Sequence, residues 1–425
     1  MMHVKKAIQN ILLWRGLNFL SLFILNVLLA RYFGASEAGA LFFVINNLSL
    51  VILILSFSLE LGLTYYVASG KIDGSETGML ALIWCIIAVC IFIFFPPRLN
   101  TLIIEGVNLK IASICFITGN LLINFYSSLF FARNNFITPN GCLLAVNLIL
   151  ITLFISGMQN AAYQHLFLYA YMGSFFLQGI VIAIFYFLQN RVRIKFPTWI
   201  NFKLVVKFSL TAFVGNIIFF LVYRVDYWFV ETYSSANELG NYIQVSKIVQ
   251  WFLLVPTMIS TVLFPFTATG QDSKIIDKIV SLSRILLWLY FFVCIGVAAI
   301  GFWAFVWMFG DTYTYMYTAF LLYIPGVLAL VSLFPILSYH AGIKRIDIKI
   351  KGALLALLII VVLNAVFTPE YGIYAASAAS SIGYIVYYIY VIYYFKANNE
   401  IKLYQLFRPL PEDALYLKSM FYKRK

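Results

Sequence analysis

Charge is scarce in this chain. Asp and Glu number 16 and Lys and Arg 29, together 11% of 425 residues, against about 25% in an ordinary globular domain. That shortage excludes a soluble enzyme. Histidine is rarer still, at three, and neither His165 nor His340 has a catalytic neighbour in sequence. The five cysteines (Cys85, Cys90, Cys115, Cys142, Cys294) are odd in number, lie inside apolar runs and lack metal-ligand spacing, which argues against a disulfide framework or a zinc site. Long polar stretches are missing too: the longest, about 189–205 and 396–425, leave no room for a catalytic domain outside a membrane. No phosphate loop or ligand cluster is present, so no cofactor is expected.

What the chain has is apolar surface. Hydrophobic residues make up 63%, with 41 Phe, 29 Tyr and 8 Trp, and the mean hydropathy is +0.94. A bilayer is the container large enough to keep that surface dry. Runs of roughly 20 apolar residues number twelve, at 11–30, 41–59, 79–97, 111–131, 141–157, 166–188, 206–230, 242–266, 285–309, 318–340, 352–367 and 372–395. The first follows Lys5 and Lys6 but carries Arg15, Asn18 and Asn26, too long and too polar for a cleavable leader; it reads as an uncleaved first helix.

Orientation follows from the basic residues. With the N-terminus cytoplasmic, twenty-four of the 29 Lys and Arg fall inside, Arg31, Arg98 and Lys110 outside, and Arg224 and Lys247 within spans. Both termini are then cytoplasmic. The net charge of +13 is topological and does not point to nucleic acid. The terminal Lys423-Arg424-Lys425 reads as an inner-leaflet anchor.

An internal repeat refines the plan. Ala35-Ser36-Glu37-Ala38-Gly39 recurs 201 residues later as Ala236-Asn237-Glu238-Leu239-Gly240, and Asn147 in the fifth span is echoed by Asn364 in the eleventh. The offset divides twelve spans into six and six, so the expected fold is an all-α polytopic membrane protein with two six-helix lobes, 1–195 and 196–395, and a basic cytoplasmic tail, 396–425. Lobes of equal orientation are related by an axis along the membrane normal.

With this plan, Ala30-Arg31-Tyr32-Phe33-Gly34 leading into Glu37-x-Gly39, and Asn364 through Pro369-x-x-Gly372-x-x-Ala375-Ala376, the chain resembles the polysaccharide-exporting flippases of the multidrug/oligosaccharidyl-lipid/polysaccharide superfamily. Tyr374 stands where that superfamily's closing pattern has its second glycine. The resemblance implies a MATE-like fold in the bacterial inner membrane. It also implies a non-enzymatic function: moving an undecaprenyl-pyrophosphate-linked oligosaccharide, an O-antigen or polysaccharide repeat unit, from the cytoplasmic to the outer leaflet. A polysaccharide polymerase and a chain-length regulator are the protein partners it suggests.

Charges inside spans are costly, about 2.5 to 3.5 kcal/mol at a helix centre on insertion scales, and mark function. Arg15 lies about two turns into the first span, with Asn18 and Asn26 within about 60° of its face; it is either a cleft cation or an arginine snorkelling to the inner headgroups. The seventh span carries Asn216, Tyr223, Arg224, Asp226 and Tyr227. Arg224 and Asp226, two apart, cannot face each other on a helix. Lys247 in the eighth span is the expected salt-bridge partner of Asp226, which leaves Arg224 unpaired; alternatively Asp226 is an ion-coupling site. For a substrate carrying pyrophosphate, Arg15, Arg224 and Lys247 are the candidate binding cations, because guanidinium and ammonium groups recognise phosphate oxygens. Asn18, Asn26 and Asn216 are the candidate cavity polar groups. Two alternatives stay open. A MATE-type multidrug or cation antiporter would be expected to carry a first-lobe membrane carboxylate, where this sequence offers only Glu60 at a span edge. A polysaccharide polymerase or ligase would need a long outer loop with acid/base residues.

Overall fold

The computed structural model describes residues 2–96, 109–157, 163–191, 195–269, 275–399, 401–410 and 413. Arg98, Arg193, Lys274 and the terminal Lys423-Arg424-Lys425 lie outside these. Among the described residues there is no strand, and ten helices are long and apolar enough to cross a membrane. Two of the ten hold two crossings each, which gives the twelve expected. Helix α1 (Met2–Ser56) has 55 residues and α13 (Ile346–Asn399) 54, about 80 Å at 1.5 Å per residue against a hydrocarbon core of about 30 Å. Each is kinked at one glycine in a positive-φ conformation closed to other L-residues, Gly34 (φ 72°, ψ 175°) and Gly372 (φ 53°, ψ −134°).

The chain divides into two compact units, Met1–Ile217 and Ile218–Lys425. The first contains α1, α2 (Leu59–Ala68), α3 (Gly74–Phe94), α4 (Leu109–Ala132), α5 (Ile137–Gly157), α6 (Gln164–Gln189) and most of α7 (Trp199–Arg224). Helices α4 and α6 meet through glycines: a Cβ on Gly119 would run into the Phe175 carbonyl, and one on Gly179 would lie 2.6 Å from the Gly119 carbonyl oxygen. Backbones in lipid pack this closely only where side chains are absent. Tyrosines tie α3 to this pair, Tyr126 donating to the Gly78 carbonyl (3.1 Å) and Tyr186 to the Gly74 carbonyl (3.0 Å). Glu76 is buried and caps the start of α7, accepting from the Thr198 amide (2.8 Å) and the Asn201 side chain (2.7 Å), where a carboxylate favours the helix N-terminus.

The second unit holds the end of α7, α8 (Asp226–Tyr233), α9 (Ala236–Phe252), α10 (Leu254–Thr269), α11 (Ile275–Phe309), α12 (Met316–Gly342), α13 and the short α14 (Tyr404–Phe407). The repeated Glu has a local purpose here. Ser235 and Glu238 form a capping box at the start of α9, the Ser235 amide donating to Glu238 Oε2 (2.9 Å) and the Glu238 amide to Ser235 Oγ (3.3 Å). The expected eighth span is broken at Leu253, and Pro256 stands in the first turn of α10, where its missing N–H costs no helical bond. Pro325 and Pro335 lie inside α12, and Ser381 Oγ of α13 accepts the Gly326 amide (2.7 Å). The start of the expected tail is docked rather than free. Buried Arg284 on α11 donates through Nε to Asp413 Oδ2 (2.6 Å), through Nη2 to Asp413 Oδ1, and through Nη1 to the Gln405 carbonyl, while Trp288 Nε1 donates to the Phe407 carbonyl (2.8 Å).

Candidate functional site

Each unit contains a buried polar cluster at membrane depth. In the first, Asn18 of α1 is 8% exposed and joins a chain of amides. Asn147 Nδ2 of α5 donates to Asn18 Oδ1 (3.1 Å) and Ser21 Oγ (2.9 Å), and Gln178 Nε2 of α6 donates to Asn147 Oδ1 (2.8 Å). Three helices are thereby held by neutral groups whose acceptors and donors meet each other. Asn26 is buried as well, whereas Arg15 is exposed, its guanidinium carbon 6.0 Å from the Phe19 ring. Asn216 belongs to this unit and donates to Ser58 Oγ (3.0 Å) at the start of α2. Its helical neighbours Tyr223 and Tyr227 fall in the second unit. Asn364 does not share the role of Asn147: it bonds within its own helix, to the Ile360 carbonyl (2.8 Å) and from Thr368 Oγ1 (2.8 Å).

In the second unit Asp226 is fully buried. Its Oδ2 accepts from the Tyr242 hydroxyl of α9, from Ser380 Oγ of α13 (2.7 Å) and from the Tyr323 hydroxyl of α12 (3.2 Å), and Tyr242 and Tyr323 are 2.8 Å apart, hydroxyl to hydroxyl. Among the described residues Oδ1 has no hydrogen-bond partner. The expected salt bridge between Asp226 and Lys247 is therefore corrected: the carboxylate is held by three hydroxyls. The reason is helical phase, since Lys247 follows Tyr242 by five residues and is turned about 140° away from the tyrosine that reaches Asp226.

The expectation that Arg224 is unpaired is corrected too. Its Nη2 donates to Gln250 Oε1 (3.0 Å), and its guanidinium carbon lies 5.7 Å from the Phe220 ring and 5.8 Å from that of Tyr227. Lys247 is half-buried and lies one helical turn before Gln250 on α9. Gln250 bonds on to Ser246 Oγ (3.4 Å).

Tyr242, Tyr323 and Ser380 carry no signal in the sequence, where they are tyrosines and a serine in apolar helices. Glu76 likewise shows that Glu60 is not the only first-unit acid beside a span. Among the described residues no cluster of three or more His, Cys, Asp or Glu is placed to hold a metal ion.

Comparison with known proteins gives this geometry its context. A search of curated proteins returns no match. Among solved structures, lipid II flippase MurJ in an inward closed conformation is similar at a TM-score of 0.71 and 15% identity over 96% of this chain and 91% of that one. An inward-facing multidrug resistance MATE family transporter of the MOP superfamily is similar at a TM-score of 0.71 and 12% identity over 90% and 94%. The Vibrio cholerae MATE transporter VcmN in its bent form is similar at a TM-score of 0.61 and 13% identity, over 100% of each chain. These likenesses establish a twelve-span fold of the flippase and MATE type. The model of a family described as polysaccharide biosynthesis protein matches residues 75–318. The chain is a multi-pass membrane protein and belongs to that polysaccharide biosynthesis family.

Proposed function

We propose that the chain is a flippase that carries an undecaprenyl-pyrophosphate-linked oligosaccharide, a polysaccharide or O-antigen repeat unit, from the cytoplasmic to the outer leaflet of a bacterial inner membrane by alternating access. The observation that carries this reading is Arg224 held at span depth on Gln250 of α9, one helical turn from Lys247. Guanidinium and ammonium groups at one stretch of helix suit phosphate oxygens, and pyrophosphate is an anion of that chemistry. Arg15 is proposed as a third substrate contact from the first unit, with Asn18, Asn26 and Asn216 as its polar surroundings. The lobes 1–195 and 196–395 are proposed as the moving bodies, with a polymerase and chain-length regulator acting after them.

A second role attaches to Asp226. A buried carboxylate with one oxygen unmet is suited to binding a proton or small cation, and we assign it to ion coupling. The test of the main reading is to extract lipid-linked repeat units from cells lacking the chain and determine their leaflet in sealed vesicles by lectin accessibility. Single units on the cytoplasmic face support flipping. Units on the outer face would place the chain after translocation, with the polymerases, and unchanged lipids would favour a drug exporter. Full transport by Arg15→Ala, Arg224→Ala and Lys247→Ala alike would exclude the cation site.

A further inference from the structure

Four charged side chains mark the cytoplasmic start of α13: Arg345, Asp347, Lys349 and Lys351. The one acid among them is shared. Arg345 reaches Asp347 through Nε (3.0 Å) and Nη2 (3.3 Å), and Lys351 Nζ lies 4.0 Å from Asp347 Oδ2. Lys349 takes no part in this. Its ammonium lies 4.5 Å from the centroid of the Phe219 ring on α7, in the same unit, and it has no carboxylate partner among the described residues.

That placement needs a reason. Lysine near a membrane surface ordinarily extends toward headgroup water, and the first turn of a helix disfavours a cation. Lys349 is half-buried and lies back on an aromatic face, which attracts its charge but leaves its N–H donors without an oxygen. Phe219 precedes Arg224 by five residues, so the two are turned about 140° apart on α7. Lys349 thus addresses a different side of α7 from Arg224 and Lys247.

We infer that Lys349, seated on Phe219, is a separate phosphate-binding position for a lipid at the inner leaflet, distinct from the Arg224 and Lys247 pair. The ring positions the ammonium, and Asp347 is already engaged by Arg345 and Lys351, so the Lys349 charge is available to an anion. Two lipids offer that chemistry, a prenyl pyrophosphate awaiting transport and an anionic phospholipid. The first source rests on the proposed function; the second does not.

The test uses the full chain in phosphatidylcholine nanodiscs. One arm titrates farnesyl pyrophosphate as the probe; the other counts phosphatidylglycerol retained in native mass spectra from mixed nanodiscs. Lys349→Gln is expected to weaken one of the two by about fivefold, the worth of one basic residue toward an anionic lipid. Lys349→Arg should restore it, and Lys351→Gln, whose charge is shared with Asp347, should leave both arms within about twofold. Loss of farnesyl pyrophosphate binding alone identifies the transported lipid class as the ligand, and loss of phosphatidylglycerol alone identifies a phospholipid. Wild-type affinity of Lys349→Gln in both arms overturns the inference while leaving the flippase reading intact. A wild-type chain that binds phosphatidylglycerol through Lys349 but no farnesyl pyrophosphate counts against the flippase reading and supports this site. A wild-type chain that binds neither overturns both.

Discussion

The two units bury polar groups at membrane depth in opposite ways. The first closes Asn18, Asn147, Ser21 and Gln178 into a neutral amide network, whereas the second surrounds one carboxylate with three hydroxyls and leaves an oxygen unmet. The first cluster can hold helices together and cannot change charge. The second can do both. The repeat offset sharpens this contrast, because position 18 maps onto Phe219 and position 26 onto Tyr227: the polar cluster is not copied between units but rebuilt with different chemistry. Two units of one fold thus differ in their buried chemistry, one holding neutral amides and the other a titratable carboxylate.

The largest effect should come from Asp226→Ala, which leaves the Tyr242, Tyr323 and Ser380 hydroxyls without their acceptor. A loss of about 3 kcal/mol or more is expected from buried groups left unmet, read as a lowered thermal midpoint in detergent together with loss of vesicle transport. Asp226→Asn keeps the shape and should keep the fold while reducing transport at least about tenfold; full activity in the Asp226→Asn variant would refute ion coupling at this position. In the other unit, Asn147→Leu should cost about 1 to 2 kcal/mol, because it strands Asn18 and Gln178. Once that is corrected for folded protein, specific transport should be unchanged. A double-mutant cycle with Gln178→Leu should return a coupling near 0.6 kcal/mol, the usual size for hydrogen bonds between membrane helices.

A smaller and pH-dependent effect belongs to the docked tail. Burial pushes the Asp413 carboxyl up, but hydrogen bonds from Arg284 and the Leu410 amide, with the Arg284 charge, outweigh it and hold the group below the usual carboxylate range. A carboxyl lowered in the folded state contributes stability that is fully present above its unfolded value and is lost as pH falls through the folded one. The tail should therefore resist protease at neutral pH and open in acid. Asp413→Asn should open at both, with little pH dependence. The smallest effect is Arg15→Gln, an exposed change that should alter stability by under about 0.5 kcal/mol. Any transport defect in that variant is then a substrate effect.

Most of the fold is legible in the sequence because span length and apolarity are properties of contiguous residues. The twelve crossings and the turns near Gly34 and Gly372 follow from runs and glycines alone. Asp226 is legible for a similar reason, as a carboxylate in a helix that should not contain one. Its partners are not, since they lie 16, 97 and 154 residues away on three other helices and only tertiary packing selects Tyr242 and Tyr323 from 29 tyrosines. Lys247 misled because nearness in depth is readable from a sequence while rotation about the neighbouring helix is not. Lys349 went unnoticed for the opposite reason: inside a run of basic residues, it counts toward topology until the structure shows that Asp347 serves its neighbours and not it.

The single-residue kinks at Gly34 and Gly372 also bear on how the protein is made. With no loop between the paired crossings, neither span of a pair can settle across the bilayer while its mate waits in water, so each pair must enter from the insertion machinery as one helical hairpin. Replacing either glycine with a bulky residue, which the positive-φ backbone there admits only under strain, should appear first as less inserted protein, before any defect in transport could be measured.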